Sequence, residues 1–205
     1  MLHEQHAIRA VHFEPLYKIG LRFKSRFWER GPRPSNGGQS ITDLPSRWFV
    51  YPSYGLGQKE PGVLLLYSWM TDAGRWLPQS KEEKIRLALR DLEAVYGREV
   101  IKGEFMEEAF DVSWALERAT GDAMFLPGQF KHLFGPARRP EKNIFFAGEH
   151  LSVHHTWIVG ALDSALYACG QILDRTVDPL RPTDSLAQRR CASVDADLPA
   201  YVYDY

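Results

Sequence analysis

The sequence predicts a mixed α/β (α+β) chain, and three observations carry that expectation. Apolar segments of strand length stand at 16–23, 47–51 and 62–69, a capped amphipathic helix follows over 80–96, and a short apolar segment, a polar turn and a long apolar helix fill 143–173. In chain order, Glu4 to Val11 has a mixed pattern compatible with a short helix. Ile19, Leu21 and Phe23 alternate with Gly20, Arg22 and Lys24, a strand signal. Gly31 to Gln39 is rich in Pro and Gly and reads as a loop. Arg47–Tyr51 and Gly62–Trp69 read as further strands, and the second is so apolar that it should be central and covered on both faces. Ser80-Lys81-Glu82-Glu83 matches a capping box, Ile85, Leu89, Leu92 and Val95 recur at helical spacing, and Gly97 ends the helix. Asn143–Gly148 should be a short apolar strand, and Trp157–Leu173, apolar nearly all round, a buried helix. From Arg175 onward the pattern stops, and the prolines and the terminal Tyr201, Tyr203 and Tyr205 suggest an extended or disordered tail.

Composition narrows the function classes. The 205 residues carry a net charge of -1 and are 44% hydrophobic, enough for a packed core. A charge near zero argues against a nucleic-acid partner, and the one basic stretch, Gly135 to Lys142, reads as a solvated loop. Cys169 and Cys191 make neither a disulfide framework nor a four-ligand zinc site. His154 and His155 are adjacent and point different ways, so no metal is expected. The apolar run from Val63 to Met70 is too short for a membrane span. Met1 to His6 holds no apolar signal segment, which leaves the compartment open.

The unit around Gly148 is the best candidate for chemistry. A strand ending at Ala147-Gly148-Glu149-His150 and a turn over Leu151 to Thr156 lead into a helix beginning near Trp157. The first amides of a helix have no partner within it and carry about half a positive charge in the dipole picture, which suits an anion or an electron-rich carbonyl. The plainer reading is a buried helix following a strand, with Glu149 an acid that stabilises its entry. Lys18 stands on an apolar strand, where a lysine is seldom buried without a partner; it is otherwise a surface residue. Tyr67 on an apolar strand is as readily core as site. Trp28, Trp48, Trp69 and Trp76 read as core or interface aromatics, and Glu104 to Glu108 as a solvated edge.

Several motifs, in one order, resemble the flavin-dependent amine oxidases. Phe145-Phe146-Ala147-Gly148-Glu149-His150-Leu151-Ser152, followed by Trp157-Ile158-Val159-Gly160-Ala161-Leu162-Asp163-Ser164-Ala165, is similar to their C-terminal flavin-binding motif. Tyr17 to Phe23 with Arg26-Phe27-Trp28-Glu29 resembles the segment whose lysine holds a water against flavin N5. Gly37 to Arg47 with Tyr51-Pro52 resembles the L-amino-acid oxidase branch. The resemblance covers roughly residues 7 to 174. It implies FAD as cofactor, with Trp114, Gly148, Glu149, Trp157, Ile158 and Ala161 against it, and Lys18 as the catalytic, water-holding lysine. Tyr67 falls where a tyrosine binds the substrate carboxylate, Trp157 where an aromatic lines the pocket, and the Thr156 carbonyl would meet the substrate amine. The turn departs from the family at His154-His155-Thr156, where a His-Gly pair is common.

The resemblance further implies a mixed-sheet substrate-binding domain portion over 1–135, an FAD-binding segment over 136–174 that is the last strand and helix of a Rossmann-like domain, and a tail over 175–205. The expected reaction takes an L-amino acid, O2 and water to a 2-oxo acid, ammonia and hydrogen peroxide, by hydride transfer to flavin N5. The family's Gly-x-Gly-x-x-Gly turn for the ADP part of FAD is absent. Gly55-Leu56-Gly57 is a partial match with no helix following, so it reads as a loop. The chain is therefore expected to be a C-terminal fragment or subunit that needs an N-terminal FAD-binding segment, from the same precursor or from a partner chain. A homo-oligomer stays open. The rival readings are a monoamine or polyamine oxidase of the same superfamily, and a non-catalytic truncated chain.

Overall fold

In the computed structural model, which describes residues 2–31, 34–115 and 121–177, the elements run α1 (Leu2–Ala10), β1 (Phe13–Glu14), β2 (Leu16–Phe23), β3 (Gln39–Ile41), β4 (Trp48–Val50), β5 (Gly62–Trp69), α2 (Met70–Gly74), α3 (Lys81–Tyr96), α4 (Arg98–Glu104), β6 (Phe105–Ser113), β7 (Asp122–Ala123), α5 (Gln129–Ala137) and α6 (Ile158–Val177). They fall into two compact units. One is Glu14–Gly121; the other joins the chain up to Phe13 with the segment from Asp122 onward. The sequence had suggested a boundary at 135. The difference arises because α1 packs on α5: Ala7, Val11, Ala123 and Leu133 form one buried cluster, and Gln129 Nε2 donates to the Ala10 carbonyl at 2.8 Å.

The unit Glu14–Gly121 is a five-stranded sheet in the order β3-β4-β5-β2-β6, and every pairing in it is antiparallel. Side chains alternate along β2, so Tyr17, Ile19, Leu21 and Phe23 enter the core while Lys18, Gly20 and Arg22 take the other face. Phe49, Leu64, Leu66, Trp76, Leu92 and Ile101 complete that core, with Tyr17 stacked on Trp76 at 4.8 Å. Ser80 caps α3 as expected, its Oγ accepting from Glu83 N, while the Glu83 carboxylate pairs with Arg86. Residues 55–57 form a turn with no helix opening there.

Four features differ from the sequence expectation. β5 is indeed interior to the sheet, but only one face is covered within its unit, and Val63 is 41% exposed. The acidic stretch expected as a solvated edge begins β6, the edge strand itself; its Glu107 and Glu108 are exposed, and their charge hides the strand pattern. Asn143–Gly148 carries no strand ladder; a single bridge joins Glu141 and Ile144. A strand exists by pairing, and among the described residues this segment joins neither sheet. Finally, α6 is not buried all round: Ile158, Leu162, Leu166 and Leu173 are exposed. The tail, from 178, lies outside the described residues.

A buried polar network ties helix to sheet. The Asp91 carboxylate on α3 accepts from Ser46 N at 2.9 Å and Ser46 Oγ at 2.6 Å. The Ser46 carbonyl accepts from Ser68 Oγ, which accepts from Trp76 Nε1. Removing a buried acceptor leaves its donors unsatisfied, so Asp91→Ala is expected to cost about 2–3 kcal/mol in chemical denaturation, and an unchanged midpoint would refute the role of this network.

Candidate active site

Lys18 is placed by strand register. It lies opposite Tyr67 on β5 and Val112 on β6. Its Nζ sits 4.5 Å from the centre of the Tyr67 ring and 5.1 Å from that of Trp114. Trp114 is fixed just past the end of β6 by its backbone N, which donates to the Leu16 carbonyl at 3.0 Å. Among the described residues no carboxylate pairs with Lys18. Its ammonium lies against two aromatic faces, each contact worth about 0.5–1 kcal/mol at an exposed site. Lys18, Tyr67 and Trp114, three positions singled out in the sequence, thus meet on the open face of one sheet.

The second group lies in the other unit. Both oxygens of the Glu149 carboxylate accept backbone amides: Ala123 N at 2.8 Å and Thr156 N at 2.9 Å. Glu149 therefore shapes the loop from Gly148 to Thr156. Gly148 N donates to Ser164 Oγ at 3.1 Å, and this buried serine inside an apolar helix is not singled out by the sequence pattern. The loop lies directly on the first turn of α6, where a Cβ at Gly160 would fall 2.1 Å from the His154 carbonyl oxygen. Gly160 N and Ala161 N both donate to the Trp157 carbonyl, which leaves the amides of Ile158 and Val159 outside the helical ladder. Trp157 and Ile158 are 68% and 82% exposed, and Ala161 is half-buried on the next turn.

Two strains mark this loop. Thr156 adopts φ 68, a left-handed conformation that costs a β-branched residue about 1–2 kcal/mol and explains why glycine would suit the position. His155 stacks on Phe125 at 4.7 Å, and its buried Nε2 has no hydrogen-bond partner. Burial holds the His155 pKa below the ordinary histidine range, and burial does the same to His150, which packs against Phe13.

A family described as flavin containing amine oxidoreductase matches residues 2–173. L-amino-acid oxidase 4 of Hebeloma cylindrosporum is 36% identical over 182 residues, covering 79% of this chain and 29% of that protein. The L-amino-acid oxidase of Siganus canaliculatus is 36% identical over 184 residues, covering 86% of this chain and 33% of that protein. Cyclohexylamine oxidase from Brevibacterium oxydans shares the fold, with a TM-score of 0.63 at 16% identity over 83% of this chain and 37% of that one. The chain belongs to the flavin containing amine oxidoreductase family, whose cofactor is FAD. It spans about a third of the length of these L-amino-acid oxidases. The residues present fit that cofactor: unladdered amides at the start of α6 and an exposed apolar helix face suit the electron-rich edge of a flavin ring.

Two outcomes follow for this loop. Thr156→Gly should raise stability by about 1 kcal/mol by relieving the left-handed strain, read as a higher melting temperature; a lower one would show that the threonine side chain matters more. Because His150 and His155 have depressed folded pKa values, the unfolded chain binds more protons below about pH 6.5, and stability is lost as pH falls through that value. His155→Phe keeps the stack on Phe125 and should flatten that acid limb, measured as melting temperature against pH; an unchanged slope would remove His155 from the account.

Proposed function

We propose that this chain carries the lysine and the flavin-facing helix of an FAD-dependent L-amino-acid oxidase, converting an L-amino acid, O2 and water to a 2-oxo acid, ammonia and hydrogen peroxide. The observation that supports this most is Lys18 on the open sheet face against Tyr67 and Trp114. The 36% identity to two L-amino-acid oxidases favours the amino-acid branch. FAD, when bound, supplies the acceptor for the hydride leaving the substrate Cα.

The chain's own residues take the following roles in this reading. The free amide of Ile158 and the exposed faces of Trp157 and Ile158, with Ala161 on the next turn, would hold the flavin, Gly148 would bring the turn beside it while its own amide is bound to Ser164, and Trp114 would pack against it. Glu149 acts as a positioning residue, since its carboxylate is committed to two amides. The helix start stabilises negative charge that develops on the ring by about 0.3–2 kcal/mol. Tyr67 takes the substrate carboxylate, Trp157 lines the pocket, and the Thr156 carbonyl accepts from the substrate amine. Lys18 donates to a water and moves a proton during imino-acid hydrolysis or flavin reoxidation. The ADP part of FAD and a second carboxylate ligand fall to the remainder of the enzyme, on the same precursor or on a partner chain.

Lys18→Met keeps the stem under the two rings and deletes the charge. In the FAD-loaded enzyme it should slow one flavin half-reaction by about a hundredfold with unchanged flavin content, followed by stopped-flow absorbance. Two unaltered half-reactions would remove the assigned role.

A further inference from the structure

The open face of the sheet continues past Lys18 into a groove of about 680 Å³. Val63, Leu65, Val112 and Trp114 line it, and its far end holds Arg22 paired with Glu108 at 2.8 Å. Its floor is Gly20, one strand period beyond Lys18 on the same face. Glycine in the interior of a central strand weakens the strand by roughly 0.5–1 kcal/mol and commonly marks a place where another group comes close. Ile19 and Leu21, its neighbours on the buried face, are fully packed, so the omission of a side chain is confined to the open face. A Cβ at Gly20 would meet Val63 Cγ1 at 3.3 Å and the Phe110 carbonyl at 3.9 Å. The space is thus kept by the glycine and bounded by Val63.

The far end is shaped by an irregularity. The β2–β6 register shifts between Leu21 and Phe23, and Glu107 adopts φ 58. This bulge carries Glu108 to Arg22, whose charge it neutralises. The Arg22–Glu108 pair closes that end of the groove, and the Glu107 carboxylate lines it as well.

We propose that Gly20 is the specificity-determining position for the substrate side chain: its bare backbone is the floor on which a bulky side chain lies. This rests on the L-amino-acid oxidase reading, in which the reacting carbon is near Lys18. Strand geometry puts Gly20 about 7 Å and Arg22 about 14 Å along from Lys18, so an aromatic or long apolar side chain reaches over Gly20 and stops short of the ion pair.

The test uses the FAD-loaded enzyme and the Gly20→Ala variant, whose added methyl needs a shift of only a few tenths of an ångström at Val63. The ratio of kcat/KM for L-phenylalanine to that for L-alanine should fall roughly tenfold or more. Calorimetric affinity for 3-phenylpropanoate should weaken alike while that for propanoate holds. Gly20→Ala with Val63→Ala should restore both. A ratio changed by less than about twofold, or equal losses for both substrates that the double variant does not restore, overturns the proposal. Should Gly20→Ala fail to fold, Val63→Ala alone should raise the L-tryptophan to L-phenylalanine ratio, and an unchanged ratio overturns it equally. A wild-type enzyme that makes no peroxide from any L-amino acid defeats the underlying reading instead, and is told apart by its silence before any substitution.

Discussion

The alternation of β2 is the constraint on which the site depends. One set of its side chains, Tyr17, Ile19, Leu21 and Phe23, is almost wholly buried. At about 1.5–3 kcal/mol each, these four contribute on the order of 6–12 kcal/mol, comparable to the net stability of a domain. A slip of one residue would exchange them for Lys18, Gly20 and Arg22 and bury a lysine and an arginine. The contacts of Lys18 with Tyr67 and Trp114 are an order of magnitude weaker and cannot set the register themselves. The lysine is therefore positioned by the core beneath it, and the glycine-floored groove is positioned by the same alternation.

A different balance governs the loop before α6. Thr156 in a left-handed conformation costs about 1–2 kcal/mol, whereas each amide bound to the Glu149 carboxylate returns about 1.5–3 kcal/mol. Two such bonds outweigh the strain, and the close approach at Gly160 leaves the loop little alternative path. The effect is to fix the start of α6 with its first amides unladdered and its apolar face exposed. Here the acid works on the protein, holding the loop's backbone through two amides.

Much of the fold was legible because its signals are local. β2, β5 and the Ser80 cap announce themselves by period, apolar content and a capping residue within a few positions. β6 escaped notice because an edge strand tolerates Glu107, Glu108 and Asp111, and α4 because it follows α3 immediately after Gly97. The apolar character of 143–148 and of α6 reports a need for burial without naming what supplies it, so the expected ladder and the all-round cover were not found among the described residues. The meeting of Lys18, Tyr67 and Trp114 rests on register between strands far apart in sequence, which no local pattern encodes; only the family resemblance pointed to it. The grouping of α1 with α5 is likewise a long-range packing fact.

The most direct measurement is anaerobic bleaching of the enzyme's flavin absorbance after rapid mixing with an L-amino acid, set beside its decarboxylated amine. L-phenylalanine should bleach the flavin within the catalytic turnover time, and phenethylamine should leave it oxidised. Bleaching by the amine alone, or by neither compound, would contradict the account.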